Sequence, residues 1–324
     1  MLSDIREIKA GGSVIERTPL LVPSFSSKGF WDIRKVYEVV QPLIDRPILL
    51  SAYDLYYGKI DPPRDPTGLI FLDSGGYEAS KDGDLSDYGD YEPRPQPWGL
   101  ETLRGVMDKW ESPEPTVFVS YDHPEHRLSV EEQIAQALDL LPSNQHRVRE
   151  ILLKPEKDGQ RFLEVDAILP HAEALSAFDL IGLTEKELGR TTAERMQNIA
   201  ALRSRLNAVG VDTPIHIFGS LDTFNTILYF MSGADVFDGL TWLRFAFSEG
   251  QTQYKHVHAS MRFGLTIDVD ELEPSCWFDN YRYLRQMERE MRRYAHEKDF
   301  NVFQWNANEL AQASGSVLGR KGGL

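Results

Sequence analysis

The stretch GLIFLDSGGYEAS, residues 68–80, runs an apolar segment into an acid, a serine and two glycines before a short helical pattern begins. An apolar run with little polar alternation is how a strand buried on both faces reads, and such strands belong to parallel sheets. The arrangement recurs in PILLSAYDL (47–55), TVFVSYD (116–122), EILLKPE (150–156), DLIGLTE (179–185), PIHIFGS (214–220) and ADVFDGL (234–240). Amphipathic segments lie between these runs. SVEEQIAQALDLL (129–141) opens on a capping box, Ser129 with Glu132, and TTAERMQNIAALRSRLNAVG (191–210) stops at Gly210. Seven strand-then-helix steps from about residue 47 onward predict an α/β fold, a TIM-type (β/α)8 barrel built as a single domain over residues 1–312.

The bulk properties suit that reading. Of 324 residues, 41% are hydrophobic and 26% charged, close to globular averages, so a sizeable core can be buried. The single cysteine, Cys276, excludes an internal disulfide and a multi-cysteine zinc site. No apolar run approaches the ~18 residues that span a bilayer, and the opening MLSDIREIKA lacks a secretory pattern, so a cytoplasmic protein without membrane contact is expected. A formal charge of −15 disfavours non-specific binding to a polyanion, so any nucleic-acid contact must be local. SKDGDLSDYGDYEPRPQPW (80–98) is acidic and dense in Gly and Pro, which predicts a lid-like insertion. ASGSVLGRKGGL (313–324) predicts a flexible tail.

Asp73, Asp122 and Asp238 each fall at the carboxyl end of a predicted strand, the rim on which barrel enzymes assemble their sites. Asp is also a common turn former and helix cap, which explains any one of the three without chemistry. Glycines accompany them at Gly75, Gly76, Gly182, Gly219 and Gly239, where a missing Cβ lets backbone amides approach a flat ligand or simply allows a tight turn. Two carboxylates around a small rim suit substitution at an anomeric carbon: one attacks or stabilises an oxocarbenium-like centre while the other carries the proton. The nucleophile elbow, the Walker phosphate loop and the dinucleotide fingerprint are all absent. A rival reading takes Asp122, His123 and His126 of DHPEH, with His256 and His258 of HVH, as metal ligands of a hydrolase. The preferred reading needs no metal and no cofactor.

LDSGGYE (72–78), SYDHP (120–124), IGLTEKE (181–187), HIFGS (216–220) and GADVFDGLTWLR (233–244) resemble, in order, the T-D-S-G-G-F-Q, F-D-E, G-L-A-V-G-E, Y-L-M-G and G-V-D-M-F-D-C-V-L-P-T-R segments of the tRNA-guanine transglycosylases. That family consists of (β/α)8 barrels that exchange a guanine in nucleic acid for a 7-deazaguanine. The resemblance implies that Asp238 is the nucleophile at the ribosyl C1′ and that Asp73 handles the proton beside it. It further implies a base pocket shaped by Ser74, Gly75, Gly76 and Gly219, with Asp122 reading the guanine edge, Gly182 and Leu183 presenting backbone groups, and Tyr77 stacking on the base. Arg244 would meet a backbone phosphate. A non-catalytic subunit on the same barrel is a third reading, disfavoured because both acids are present.

The chain departs from the family in three places. The zinc site, and with it the zinc-binding subdomain, has no counterpart; LLKPE (152–156) stands where a Q-G-G segment reads the base, bringing Lys154 or Glu156 there; and Cys and Pro of the last motif become Gly239 and Trp242. A short zinc-less relative is similar to the branch that inserts bases such as 7-cyano-7-deazaguanine into DNA, so DNA is the expected substrate and tRNA the alternative. Accessory proteins of a DNA-modification system and a homodimer are compatible partners. In DNYRYLRQMEREMRRYAHEK (279–298), Arg282, Arg285, Arg289 and Arg292 or Arg293 fall on one helical stripe, with Tyr281, Tyr283 and Tyr294 interleaved. The stripe either tracks a phosphate backbone or pairs with Glu288 and Glu290.

Overall fold

Eight parallel strands close on themselves in chain order, and the last pairs with the first. The structure is a computed structural model and describes residues 2–30, 32–63, 68–80, 95–122, 126–141 and 147–319. An antiparallel hairpin, β1 (Glu7–Ala10) and β2 (Ser13–Arg17), precedes the barrel. The barrel comprises β3 (Leu20–Phe25), β4 (Ile48–Ser51), β5 (Ile70–Asp73), β6 (Thr116–Val119), β7 (Arg147–Leu153), β8 (Leu180–Thr184), β9 (Ile215–Phe218) and β10 (Val236–Gly239). A small hairpin, β11 (Ala246–Ser248) with β12 (Gln251–Gln253), follows it.

All seven strands expected from sequence are barrel strands. The eighth is β3, LLVPSF, which lies before the region where the alternation was read. Pro23 in its middle removes a ladder donor, so the run does not read as a central strand. It is central all the same: residues 20–23 pair with β10 and residues 24–25 with β4, and this strand closes the barrel.

Period-two alternation sorts the strand side chains into two cores. Leu20, Val22, Leu49, Phe71, Val117, Val119, Val148, Leu152, Leu180 and Val236 fill the barrel interior. Ile8 and Ala10 of the hairpin join them, so the hairpin closes the amino-terminal end of the barrel. Leu21, Leu50, Leu72, Phe118, Ile151, Ile181, Leu183, Ile217 and Phe237 point outward into the larger core beneath the helices. At the closed end Arg6 and Arg203 each approach Asp235 at 2.7 Å, one on each carboxylate oxygen. The mouth at the other end is thereby left to the loops that follow each strand.

The helix Val269–Glu297 packs on β3 and on β11. Asn280, fully buried, fastens it: its amide donates to the carbonyls of Trp242 and Phe245, and its oxygen accepts from the Phe247 N–H. The expected flexible tail is corrected in part. Residues 307–318 form a helix in which Leu310 is buried and Ala313, Val317 and Leu318 pack on the core, an apolar spacing that the Gly and Ser content masked. Residues 320–324 lie outside the described residues, as do 81–94 of the lid-like insertion. No helix among the described residues is long and apolar enough to cross a membrane.

Candidate active site

At the mouth, Asp238 is the last residue but one of β10 and Asp73 is the last of β5, two of the acids expected there. Both are buried. Asp238 Oδ2 accepts from the Ser24 hydroxyl at 2.7 Å, and Oδ1 accepts from the Gly219 N–H at 3.1 Å. The same Ser24 oxygen accepts from the Gly239 N–H, so the unforeseen strand β3 supplies the group that orients the carboxylate. Gly219 takes a left-handed φ of +78°, which turns its N–H toward Asp238 and leaves open space where a Cβ would stand.

Asp73 belongs to a buried acidic group that sequence reading did not find. Glu78, five residues further on, accepts from the hydroxyls of Ser26 and Ser51, and Asp54 accepts from the N–H and hydroxyl of Ser27. Burial, then the neighbouring Glu78, then Asp238 push the Asp73 carboxyl up to about 8. Burial and Glu78 push Asp54 to about 8 as well, and burial raises Glu78. Burial and the neighbouring carboxyl thus favour the protonated form of Asp73, which also accepts from the Gly75 N–H at 3.2 Å. The only local trace of this group was an ordinary-looking Glu in the first turn after the two glycines, because its partners lie 27 and 52 residues away.

The two glycines face protein rather than open space. A Cβ on Gly75, whose φ is +79°, would stand 2.7 Å from Tyr53 Cβ, and one on Gly76 would stand 3.1 Å from Asp122 Cβ. They let the ends of β4, β5 and β6 crowd together. Buried Ser74 accepts from the Trp98 indole through its carbonyl, so the described end of the 80–98 segment packs on this turn. Half-buried Tyr77 carries the Lys28 ammonium over its ring at 4.5 Å.

Asp122 is not alone on the rim. Its oxygens lie 3.2 Å from Arg127 and 3.1 Å from Lys154, and Lys154 also reaches Glu187 at 2.7 Å. Of the two residues expected near the base, Lys154 is thus in the mouth. Glu156 instead accepts from the Val130 N–H at the start of the next helix. Burial opposes the Lys154 charge, but Asp122 and Glu187 outweigh it and hold the ammonium above its usual range.

Gly182 has a second reason to be glycine. A Cβ there would stand 2.6 Å from the Phe218 ring and 3.0 Å from Glu150 Oε1. Those two groups hold His216, whose Nδ1 lies 2.7 Å from Glu150 Oε1 and whose Nε2 lies 3.3 Å from Asp238 Oδ1. Neither His216 nor Glu150 drew attention in the sequence, where each sits inside an apolar strand. Leu183 points its side chain into the helix-side core.

The arginines divide. Arg244 stands on the short helix after β10, its guanidinium against Gly29 and over the Phe30 ring, in the loop that follows β3. Arg282, Arg285 and Arg289 line a groove of about 1030 Å³ on the flank of the barrel, with Phe247, Tyr283 and Trp305. The stripe then runs toward the closed end. Buried Glu288 accepts from the Leu21 N–H and pairs with Arg46, Arg285 and Arg292, and Arg292 donates to the carbonyls of Arg17 and Pro19, which precede β3. Arg293 pairs with Glu297. Arg285 and Arg292 thus pair with Glu288, one of the two acids expected, whereas the partner of Arg293 is neither of them.

Of the metal-ligand candidates, His123 lies outside the described residues. His256 and His258 sit on the helix Lys255–Arg262, where buried His258 approaches Asp279 at 3.9 Å and burial lowers its pKa. Among the described residues no three His, Cys, Asp or Glu side chains gather as a metal site. No protein-family model matches the chain, and no curated protein matches it in sequence. The site's own geometry therefore carries the functional argument.

Proposed function

We propose that the protein is a base-exchange transglycosylase that replaces guanine in nucleic acid with a 7-deazaguanine, with DNA as the preferred substrate. The observation that carries this reading is the division of labour between two buried acids at one barrel mouth. Asp238 is held as an acceptor by Ser24 and Gly219, whereas Asp73 is kept protonated by burial and by Glu78. In the first half-reaction an Asp238 oxygen bonds to C1′ as the C1′–N9 bond breaks, and the Asp73 proton passes to the departing guanine. In the second, N9 of the incoming base attacks C1′, the ester bond returns its electron pair to Asp238, and the N9 proton returns to Asp73. Atoms and charge balance with no further reactant.

Asp122 supplies acceptors for the N–H groups of a purine edge, and Lys154, whose three N–H groups meet Asp122, Glu187 and Thr184, would donate to the neighbouring carbonyl by exchanging one of those contacts. Each Asp122 oxygen retains a lone pair beyond the ion pair it makes. Arg244, on the short helix after β10, would meet a phosphate on this reading. In duplex DNA the target nucleotide must leave the stack, at a cost of a few kcal/mol.

Incubating the purified protein with labelled guanine and either duplex DNA or unmodified tRNA tests the proposal, with Asp238→Asn as control. Label in DNA that disappears with Asp238→Asn is the expected result. Label in tRNA alone moves the substrate to tRNA. Full exchange by Asp238→Asn overturns the assignment of the nucleophile.

A further inference from the structure

Inside the barrel, one layer below Asp238, His216 and Glu150 form a polar pair among Val22, Phe71, Leu152 and Val236. Neither has any exposed surface. Ionisable groups in such a place cost stability unless something compensates, and an apolar pair of the same volume would pack without that penalty. Their presence there calls for a task.

The ring is held from every side. Phe218 stacks on it at 3.9 Å and 28°, Phe71 meets it edge-on at 5.4 Å, and Glu150 Oε1 holds Nδ1 at 2.7 Å. With Nδ1 committed, only Nε2 remains, and it is aimed at Asp238 Oδ1 at 3.3 Å, off the line that a hydrogen bond needs. Bare Gly182 on β8 makes room for this clamp. The groups facing the imidazole are thus Glu150 from β7, Asp238 from β10, Phe71 from β5, Gly182 from β8 and Phe218 from its own strand. Burial works against a charge on the ring, but the two carboxylates outweigh it and raise its pKa to about 9.

We infer that His216, oriented by Glu150, is a positioning residue that receives the negative charge returning to Asp238 when the covalent intermediate breaks down. The inference rests on reading Asp238 as the nucleophile. Attack on C1′ turns the Asp238 carboxylate into a neutral ester and leaves the imidazolium facing it. When the incoming base displaces that ester, the C1′–O bond breaks and its electron pair returns to the carboxylate beside Nε2. A fixed cation there favours the free carboxylate over the ester and speeds its departure. Removing the cation leaves attack possible and makes the ester the resting state.

His216→Gln and Glu150→Gln, compared with wild type on the nucleic acid that supports exchange, separate this role from a structural one. Two quantities are read, turnover and the fraction of protein carrying a covalent glycosyl adduct on a denaturing gel. Losing a charged partner is worth about 10- to 100-fold, so turnover is expected to fall by that factor while the adduct fraction rises severalfold. Turnover and adduct falling together, or neither changing, overturns the inference. An activity-independent arm is the nitrogen NMR spectrum of the His216 ring in the wild-type protein, where both ring nitrogens should carry protons at pH 7. A neutral ring there overturns the inference even if a variant fails to fold. Exchange surviving in Asp238→Asn instead overturns the reading beneath it, and the NMR result stands apart from that outcome.

Discussion

Asp73 and Asp238 are alike as residues and differ in what surrounds them. On the proposed reading Asp73 donates a proton, and burial with Glu78 beside it raises its pKa above the ordinary 3.8, to about 8. Base exchange should therefore hold steady through neutral pH and decline as pH rises through about 8, where the donor is lost. Asp73→Asn should lower kcat by roughly 10²- to 10⁴-fold and abolish that alkaline limb, which a pH–rate series on both proteins checks. Gly182→Ala makes a packing prediction. Its Cβ would meet Phe218 and Glu150 at 2.6 and 3.0 Å, and it should cost about 1–3 kcal/mol in urea denaturation. The rim acids were legible because an acid where an apolar run stops is a local signal. Glu78, Asp54, Glu150 and His216 were not, because their meaning lies in partners on other strands: His216 and Glu150 are 66 residues apart.

Among the elements, the seven strands from residue 48 onward were legible as apolar runs between helical patterns. Strand β3 was hidden by Pro23 and by lying outside that alternation, yet it supplies Ser24 to Asp238 and the seam that closes the barrel. Of the helix Val269–Glu297, only the part from residue 279 onward was legible as helix; its start and its placement were not. Its arginine stripe suggested a phosphate track; packed against β3, its second half points to the closed end. Arg293→Ala should leave nucleic-acid affinity unchanged, and Arg244→Ala should weaken it uniformly across sequences and flatten its salt dependence, which titration at two salt concentrations measures. Asn280→Ala removes the partners of two buried carbonyls and one N–H, and should cost about 2–4 kcal/mol in a urea melt.

For the molecule as a whole, several buried groups bind protons more tightly folded than unfolded. Asp54 and Asp73 move from 3.8 to about 8, and His216 from 6.5 to about 9. A raised pKa adds stability that is fully present below the unfolded value and is lost as pH rises through the folded one. The carboxyl contribution therefore fades from about pH 4 to 8, and that of His216 from about pH 6.5 to 9. The melting temperature should fall between about pH 4 and 9, and Asp54→Asn, which keeps an acceptor for Ser27 without the ionisation, should flatten the part of that fall below about pH 8. Calorimetry across the range checks both; a flat wild-type profile would mean that these groups do not hold their protons in the fold.

By itself the sequence determined the order of apolar strands, the acids that end them and the glycines beside those acids, because each is written in neighbouring residues as periodicity or turn chemistry. Tertiary structure alone decided which groups meet. Closing the barrel sets β10 against β3 and turns alternate side chains inward, and that brings Ser24 to Asp238, gathers the carboxyls around Asp73, and places His216 beneath Asp238. Apart from Asp73 and Glu78, the interactions join residues tens to hundreds of positions apart, and their strength comes from removal from water, which no local pattern records.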